Sequence, residues 1–222
     1  MELSVSSEAS IPLPNPHNLF DWRRSLEESY FGRSLHAFNA GQNIPIYNHE
    51  VWMVCRGMVQ LSTIHSSGDE ILTGFAFPGM PFGIPLTNLD PYQANALSDV
   101  DLMRFTLVEL ERSPELSQRL LNQVNRRLQQ AESLIALISL KRVEDRLRQL
   151  LMLLKREIGQ PAEGGTRIGV RLTHQHLANA ISSTRVTVTR ALGQLQEEGW
   201  LFIDRNRNIV ITDKGTDTQV IS

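Results

Sequence analysis

The sequence predicts an α+β fold in three parts: an antiparallel β unit, one long helix, and a small helical unit closed by a hairpin. Three observations carry that reading. From Val51 to Thr106, strand-like runs are broken by turns every 8–12 residues or so, the rhythm of an antiparallel sandwich or barrel. From Pro114 to about Leu140 the pattern is helical and free of further Gly or Pro. The final 57 residues read as strand, helix, turn, helix and hairpin. The expected division is a lead-in over 1–18, a sensor-like β unit over 19–112, a long helix over 113–140 and a C-terminal unit over 141–222.

The elements follow in order. Residues 1–18 are rich in Ser and Pro, with Pro12, Pro14 and Pro16 alternating, so they read as a flexible lead-in. Leu19, Phe20, Trp22, Leu26 and Tyr30 predict a short helix over 19–31. Val51–Arg56 and Met58–Ile64 read as strands separated by a tight turn at Gly57. After the Ser66–Asp69 turn, Glu70–Phe77 reads as a third strand. Pro78-Gly79 turns again, and 93–106 supplies further strand sequence. Ser113 suits the N-cap, and Pro114 the first turn, of the long helix. A second helix is expected over Lys141–Ile158, then a loop over Gly159–Gly165.

Along the long helix, Leu121, Val124, Leu128, Ala131, Ile135 and Ile138 alternate spacings of three and four. That is a heptad seam, and it points to a dimer interface. Leu120, Leu134 and Leu137 widen the apolar surface enough to touch the chain's own β unit as well.

Composition narrows the function classes. Apolar residues are 41% and charged residues 21%, as in globular proteins. The one cysteine, Cys55, excludes an intramolecular disulfide and any four-cysteine metal or iron–sulfur site within one chain. No apolar run reaches membrane-helix length, and no secretory pattern opens the chain, so no membrane role and a cytoplasmic setting are expected. The net charge of −2 speaks against nucleic acid until the chain is divided at Leu140. The C-terminal part then holds 13 Lys+Arg against 9 Asp+Glu, and the front part 9 against 15. An acidic module and a basic one suggest different partners.

Thr173 can cap a helix from His174 to Ile181. Ser182-Ser183-Thr184 interrupts it, and Arg185–Glu198 gives a second helix stopped by Gly199. Leu177, Ala178 and Ile181 interlock with Val188, Leu192 and Leu195. The pair is a helix-turn-helix in which Ser182 or Ser183 replaces the usual turn glycine. Arg185, Thr187 or Thr189, and Arg190 lie in the first two turns of the second helix, the end that enters a major groove. Arginine can pair bidentately with guanine, and threonine can meet phosphate or a thymine methyl. Arg205 and Arg207 sit at the tip of the final hairpin, where a wing would meet phosphate. Double-stranded DNA is the expected partner.

With these residues in view, the sequence resembles the CRP/FNR family of bacterial transcription regulators. The resemblance runs from about Leu35 and includes Gly57, Gly68-Asp69-Glu70, Pro78-Gly79 and Phe82-Gly83. Leu172–Gln175 and Ser183–Arg190 are most like its cyanobacterial nitrogen-regulator branch. The resemblance implies an N-terminal cupin-like β-roll of the cyclic-nucleotide-binding type, a dimerisation helix and a C-terminal winged helix-turn-helix. It implies a homodimer acting at promoters, as activator or repressor, with RNA polymerase as a further partner. It also assigns base reading to Arg185, Val186, Thr189 and Arg190. Thr173, His174, Gln175, Ser183, Thr184, Thr187, Arg205 and Arg207 would contact the DNA backbone. Val186 stands where cyclic-AMP receptor proteins place a cytosine-reading glutamate, so a palindrome with GTA and TAC arms is expected rather than TGTGA arms.

For the effector, the resemblance points to a pocket at Phe82, Gly83, Ile84, Arg127 and Glu132. Cyclic-nucleotide members carry a glutamate after Phe-Gly and an arginine about ten residues on. Here Ile84 follows, and 85–95 holds no Arg or Lys. A buried phosphate without a cation is costly, so no cyclic AMP and no other cofactor is expected. The nitrogen-regulator type of 2-oxoglutarate site also uses an arginine in this segment, and only the helix pair Arg127 and Glu132 matches. Alternatives are an effector-dependent regulator sensing 2-oxoglutarate or another metabolite, and an interaction protein with a degenerate pocket. No nucleophile–base set, phosphate loop or metal cluster is legible, so neither an enzyme nor a metal site is expected.

Overall fold

The computed structural model describes residues 33–213. The expected lead-in over 1–18 and helix over 19–31 lie outside the described residues.

Seven strands build the roll: β1 (Leu35–Phe38), β2 (Glu50–Arg56), β3 (Val59–Ile64), β4 (Glu70–Ala76), β5 (Pro81–Phe82), β6 (Gln93–Ala96) and β7 (Val100–Thr106). They form two antiparallel sheets, ordered β1-β7-β2-β5 and β4-β3-β6. Val54, Leu61, Phe75, Phe77, Phe82 and Leu102 are buried in its core. Each such side chain stabilises the fold by about 1.5–3 kcal/mol.

The turn at Gly57 does not pair the strands it joins. β2 pairs with β5 and β7, and β3 with β4 and β6, so the turn hands the chain from one sheet to the other. Gly57 has φ +86°, and a Cβ there would lie 2.3 Å from the Asp99 carbonyl oxygen. Only glycine fits that crossing. A 3₁₀ turn over Ile84–Leu86, β1 and the two-residue β5 were not foreseen.

Helix α1 (Leu107–Arg112) starts on a capping box of Thr106 and Glu109. Helix α2 (Pro114–Ile138) starts as expected, with the Ser113 hydroxyl accepting from the Leu116 amide. Leu134 and Leu137 are buried, but Leu121, Leu128, Ile135 and Ile138 are 52%, 59%, 63% and 42% exposed. The seam therefore faces away from the chain's own core. Val124 and Ala131 are half-buried along it.

Helix α3 (Val143–Ile158) folds back against α2. The expected loop over 159–165 is instead part of a hairpin. β8 (Gly159–Ala162) pairs with β9 (Gly165–Ile168), Gly159 opposite Ile168 and Ala162 opposite Gly165. Gly, Gln and Pro give no local strand signal, so pairing partners decide the outcome. Pro161 is tolerated because β8 is an edge strand. The sheet is completed by β11 (Ile209–Thr212) and β10 (Leu201–Ile203), in the order β10-β11-β9-β8. Helices α4 (His174–Ala180) and α5 (Arg185–Glu197) lie between β9 and β10 in the chain. Their Leu177, Ala178, Val188, Leu192 and Leu195 join Leu147, Leu150, Leu151 and Leu154 of α3 in the core.

Candidate nucleic-acid interface

Each helix of the pair starts on a threonine cap. The Thr173 hydroxyl accepts from the His176 amide at 3.1 Å, and His176 Nδ1 accepts from the Thr173 amide at 3.4 Å. The Thr184 hydroxyl accepts from the Thr187 amide at 3.2 Å and lies 2.8 Å from the Thr187 hydroxyl. Between the helices, Ser182 takes the left-handed conformation with φ +51°, the place expected of a glycine. The Ser183 amide closes the turn on the Ala178 carbonyl at 3.0 Å.

This geometry leaves Arg185, Val186, Thr189 and Arg190 exposed on α5, Val186 to 70%. Thr189 is less free than the sequence suggested. Its hydroxyl donates to the Arg185 carbonyl at 2.9 Å, so His174 Nδ1, 2.7 Å away, must donate to it. Thr173, Gln175 and Thr184 are exposed, and His174, Ser183 and Thr187 half-buried. Gln175 donates to Asn179 at 2.6 Å. At the hairpin tip, Asp204 Oδ1 accepts from the Asn206 and Asn208 amides at 2.8 Å each, and Arg207 has φ +62°. This aspartate-centred turn displays Arg205 and Arg207 to solvent.

Other contacts hold the pair in place. Arg146 of α3 donates from Nη1 to the Ile181 carbonyl at 2.9 Å and the Ser182 carbonyl at 3.3 Å. Those carbonyls end α4, where a cation is favoured. Arg148 pairs with Glu198 and lies 5.1 Å from the Trp200 ring centroid, joining α3 to the end of α5 and the start of the wing. Glu70 of β4 accepts from Gln60 at 2.9 Å, from Ser62 at 2.8 Å and from Asn179 of α4 at 3.3 Å. Of these residues only Glu70 stood out in the sequence, and there as part of the Gly68-Asp69-Glu70 turn rather than as a positioning group. Burial lowers the pKa of His176, with nearby Glu70 opposing.

Residues 145–215 match the Crp-like helix-turn-helix domain. Over 166 residues the chain is 32% identical to the global nitrogen regulator of Synechocystis sp., spanning 71% of this chain and 74% of that protein. The chain belongs to the CRP/FNR family. It is also 31% identical over 201 residues to the regulatory protein CysR of Synechococcus elongatus, covering 89% of this chain and 85% of that one. A CRP/FNR transcriptional regulator of Thermus thermophilus superposes with a TM-score of 0.65 at 26% identity, over 82% of this chain and 95% of that one. FixK2 of Bradyrhizobium japonicum shares the fold, with a TM-score of 0.71 at 20% identity, over 86% and 98% of the two chains. The protein is thus a transcription regulator rather than an enzyme. Among the described residues no helix is long and apolar enough to cross a membrane, and no three His, Cys, Asp or Glu cluster as metal ligands.

In this CRP/FNR regulator the roll is the cyclic-nucleotide-binding type of β domain. Its expected effector residues are only partly brought together. Phe82 and Gly83 are buried, and a Cβ on Gly83 would lie 2.7 Å from the Glu50 carbonyl oxygen. Arg127 of α2 donates to the Pro81 carbonyl at 3.1 Å. Ile84 is half-buried beside them. Glu132 stays outside the cluster: it is exposed, and five helical residues carry it about 140° around α2 from Arg127. The residue unforeseen here is Tyr92, buried against Arg127 and the Gly83 backbone. Cys55 is half-buried, and burial pushes its thiol up to about 11, so it is not a ready nucleophile.

Proposed function

We propose that this regulator binds double-stranded DNA as a homodimer at a palindromic promoter site with GTA and TAC arms, without cyclic AMP or another cofactor. The observation that carries the proposal is the leading face of α5, where Arg185, Val186 and Arg190 stand exposed behind the Thr184 cap. Arg185 and Arg190 offer bidentate donors to guanine. Val186 offers only an apolar surface, and a valine cannot accept from a cytosine amino group. Thr173, His174, Gln175, Ser183, Thr184 and Thr187 would face the backbone from the helix starts, and Arg205 and Arg207 from the wing.

The exposed seam of α2 supports the dimer, since Leu121, Leu128, Ile135 and Ile138 would be covered by a partner helix together with Val124 and Ala131. A dimer places two basic units on one duplex, with arms one helical turn apart. RNA polymerase is the partner expected of a promoter-bound regulator. Selection of binding sites from random duplexes tests the reading: GTA–TAC palindromes are expected, and recovery of TGTGA arms would overturn it.

A further inference from the structure

Three threonines lie at the reading end of α5, and their hydroxyls differ in freedom. The Thr184 hydroxyl accepts from the Thr187 amide at 3.2 Å and lies 2.8 Å from the Thr187 hydroxyl. One of those two hydroxyls donates to the other, so the pair keeps one hydrogen for a phosphate oxygen. Thr189 keeps none. Its hydrogen goes to the Arg185 carbonyl at 2.9 Å, and its oxygen is met at 2.7 Å by His174 Nδ1, which must then be the donor. Phosphate oxygens, guanine O6 and N7, and thymine O4 are all acceptors, so this hydroxyl cannot serve them. Thr189 is nevertheless exposed. With the oxygen held by its own helix and by α4, the branch left for a base edge is the methyl.

Thr189 follows Arg185 by four residues, so the two side chains share one face of α5. Arg185 offers donors to guanine, and a methyl beside it matches the methyl of a neighbouring thymine, the apolar group of the major-groove base edges. A GTA arm sets those two bases side by side. The methyl is presented only while the hydroxyl is tied down, and one of its two ties comes from the other helix. We infer that Thr189 reads a thymine methyl by apolar contact, and that His174 is the positioning residue holding Thr189 in the rotamer that does so. This rests on the DNA-binding reading above and adds the chemistry of one base contact, with a role for His174 beyond facing the backbone.

The test exchanges every thymidine in both arms of a GTA–TAC duplex for deoxyuridine, which removes the methyl alone. Burying one methyl is worth about fourfold in affinity, so full-length wild type, as a dimer on two arms, is expected to bind the exchanged duplex about fifteenfold more weakly. Thr189→Val keeps a methyl, drops the hydroxyl and retains that ratio. Thr189→Ser keeps both hydrogen bonds and drops the methyl, and its ratio falls to within about twofold of unity. His174→Ala frees the threonine and lowers the ratio, while His174→Asn, whose amide nitrogen stands close to the place of Nδ1, restores it. A readout without DNA comes from nitrogen-15 spectra of the histidine side chains at about pH 8, where histidine is neutral. His174 is expected there as the Nδ1–H tautomer. Wild-type affinity that ignores the exchange overturns the inference without any variant having to fold. So does a serine variant that keeps the ratio, since the hydroxyl would then be the reader. An unchanged ratio in His174→Ala, or an Nε2–H tautomer, removes the positioning role. If wild type does not bind GTA–TAC arms, that reading fails by itself; the tautomer still decides the His174 contact, and the exchange is made in the arms that selection recovers.

Discussion

Arg146→Met removes the cation that closes the helix-turn-helix while keeping the packing of its stem. Arg146 Nη1 serves two carbonyls, those of Ile181 at 2.9 Å and Ser182 at 3.3 Å. Hydrogen bonds to charged groups contribute about 1.5–3 kcal/mol each. The two acceptors are not equivalent. Ser182 is exposed, and its carbonyl can turn to water. Ile181 is 0% exposed, so its carbonyl loses its partner inside the fold. The longer bond therefore costs little and the shorter one nearly its full value, about 2 kcal/mol. Losing the charge at the end of α4 adds about 0.3–1 kcal/mol. The expected loss is about 2–3 kcal/mol, or a melting temperature lower by about 5–10 °C for a chain of this size. Urea unfolding followed by tryptophan fluorescence measures it. Arg146→Lys recovers part of the loss, because one ammonium can serve one carbonyl but lacks the fork. A loss below about 0.5 kcal/mol for Arg146→Met, the range of ordinary surface changes, refutes the reasoning.

Leu128→Glu places a charge in the centre of the exposed seam; sedimentation should show a monomer whose roll remains folded, and an unchanged dimer would place the interface elsewhere. Val186→Glu should add a preference for cytosine opposite that position by about 1–3 kcal/mol in competition binding, with unaltered selectivity as the contrary result. His176 is held neutral by burial, so its folded pKa lies below the ordinary 6.5. Its contribution is complete above pH 6.5 and is lost as pH falls through the folded value, because the unfolded state takes up the proton first. His176→Gln should flatten the stability profile across that acid window; a profile identical to wild type would remove His176 from the account.

Much of the fold was legible because periodicity and capping are local. Ser113-Pro114 marked the start of α2 to the residue, and the alternation of three and four along it separated the exposed Leu128 from the buried Leu134. Thr173 announced its helix for the same reason, since a cap needs only a hydroxyl and the next turn of amides; Thr184 caps α5 in the same way but read in the sequence only as part of the interruption. What escaped depends on contacts distant in sequence. β8 has no strand-forming residues and exists because β9 offers it a ladder. Strand partners across Gly57 depend on which sheet each strand joins, and the turn itself carries no record of that. Tyr92 was invisible as a pocket residue because the groups near it, Gly83 and Arg127, come from a turn and a helix elsewhere in the chain. One clue was present: the alternation of Tyr92, Ala94 and Ala96, with one large ring followed by two small residues on a single strand face.

The Glu70–Asn179 hydrogen bond has a consequence for the entropy of recognition. Asn179 belongs to the first helix of the reading pair, and Glu70 is itself held by Gln60 and Ser62 of the roll. Arg126 of α2 adds a second tie, to the Pro78 carbonyl at 3.2 Å and to Glu157 of α3. A reading head moored at two separated points has few orientations to give up when it meets a duplex. The freedom is surrendered during folding, so in the proposed dimer the spacing of the two arms would be fixed before any DNA arrives, and a duplex with one base pair inserted between those arms would have to twist to fit.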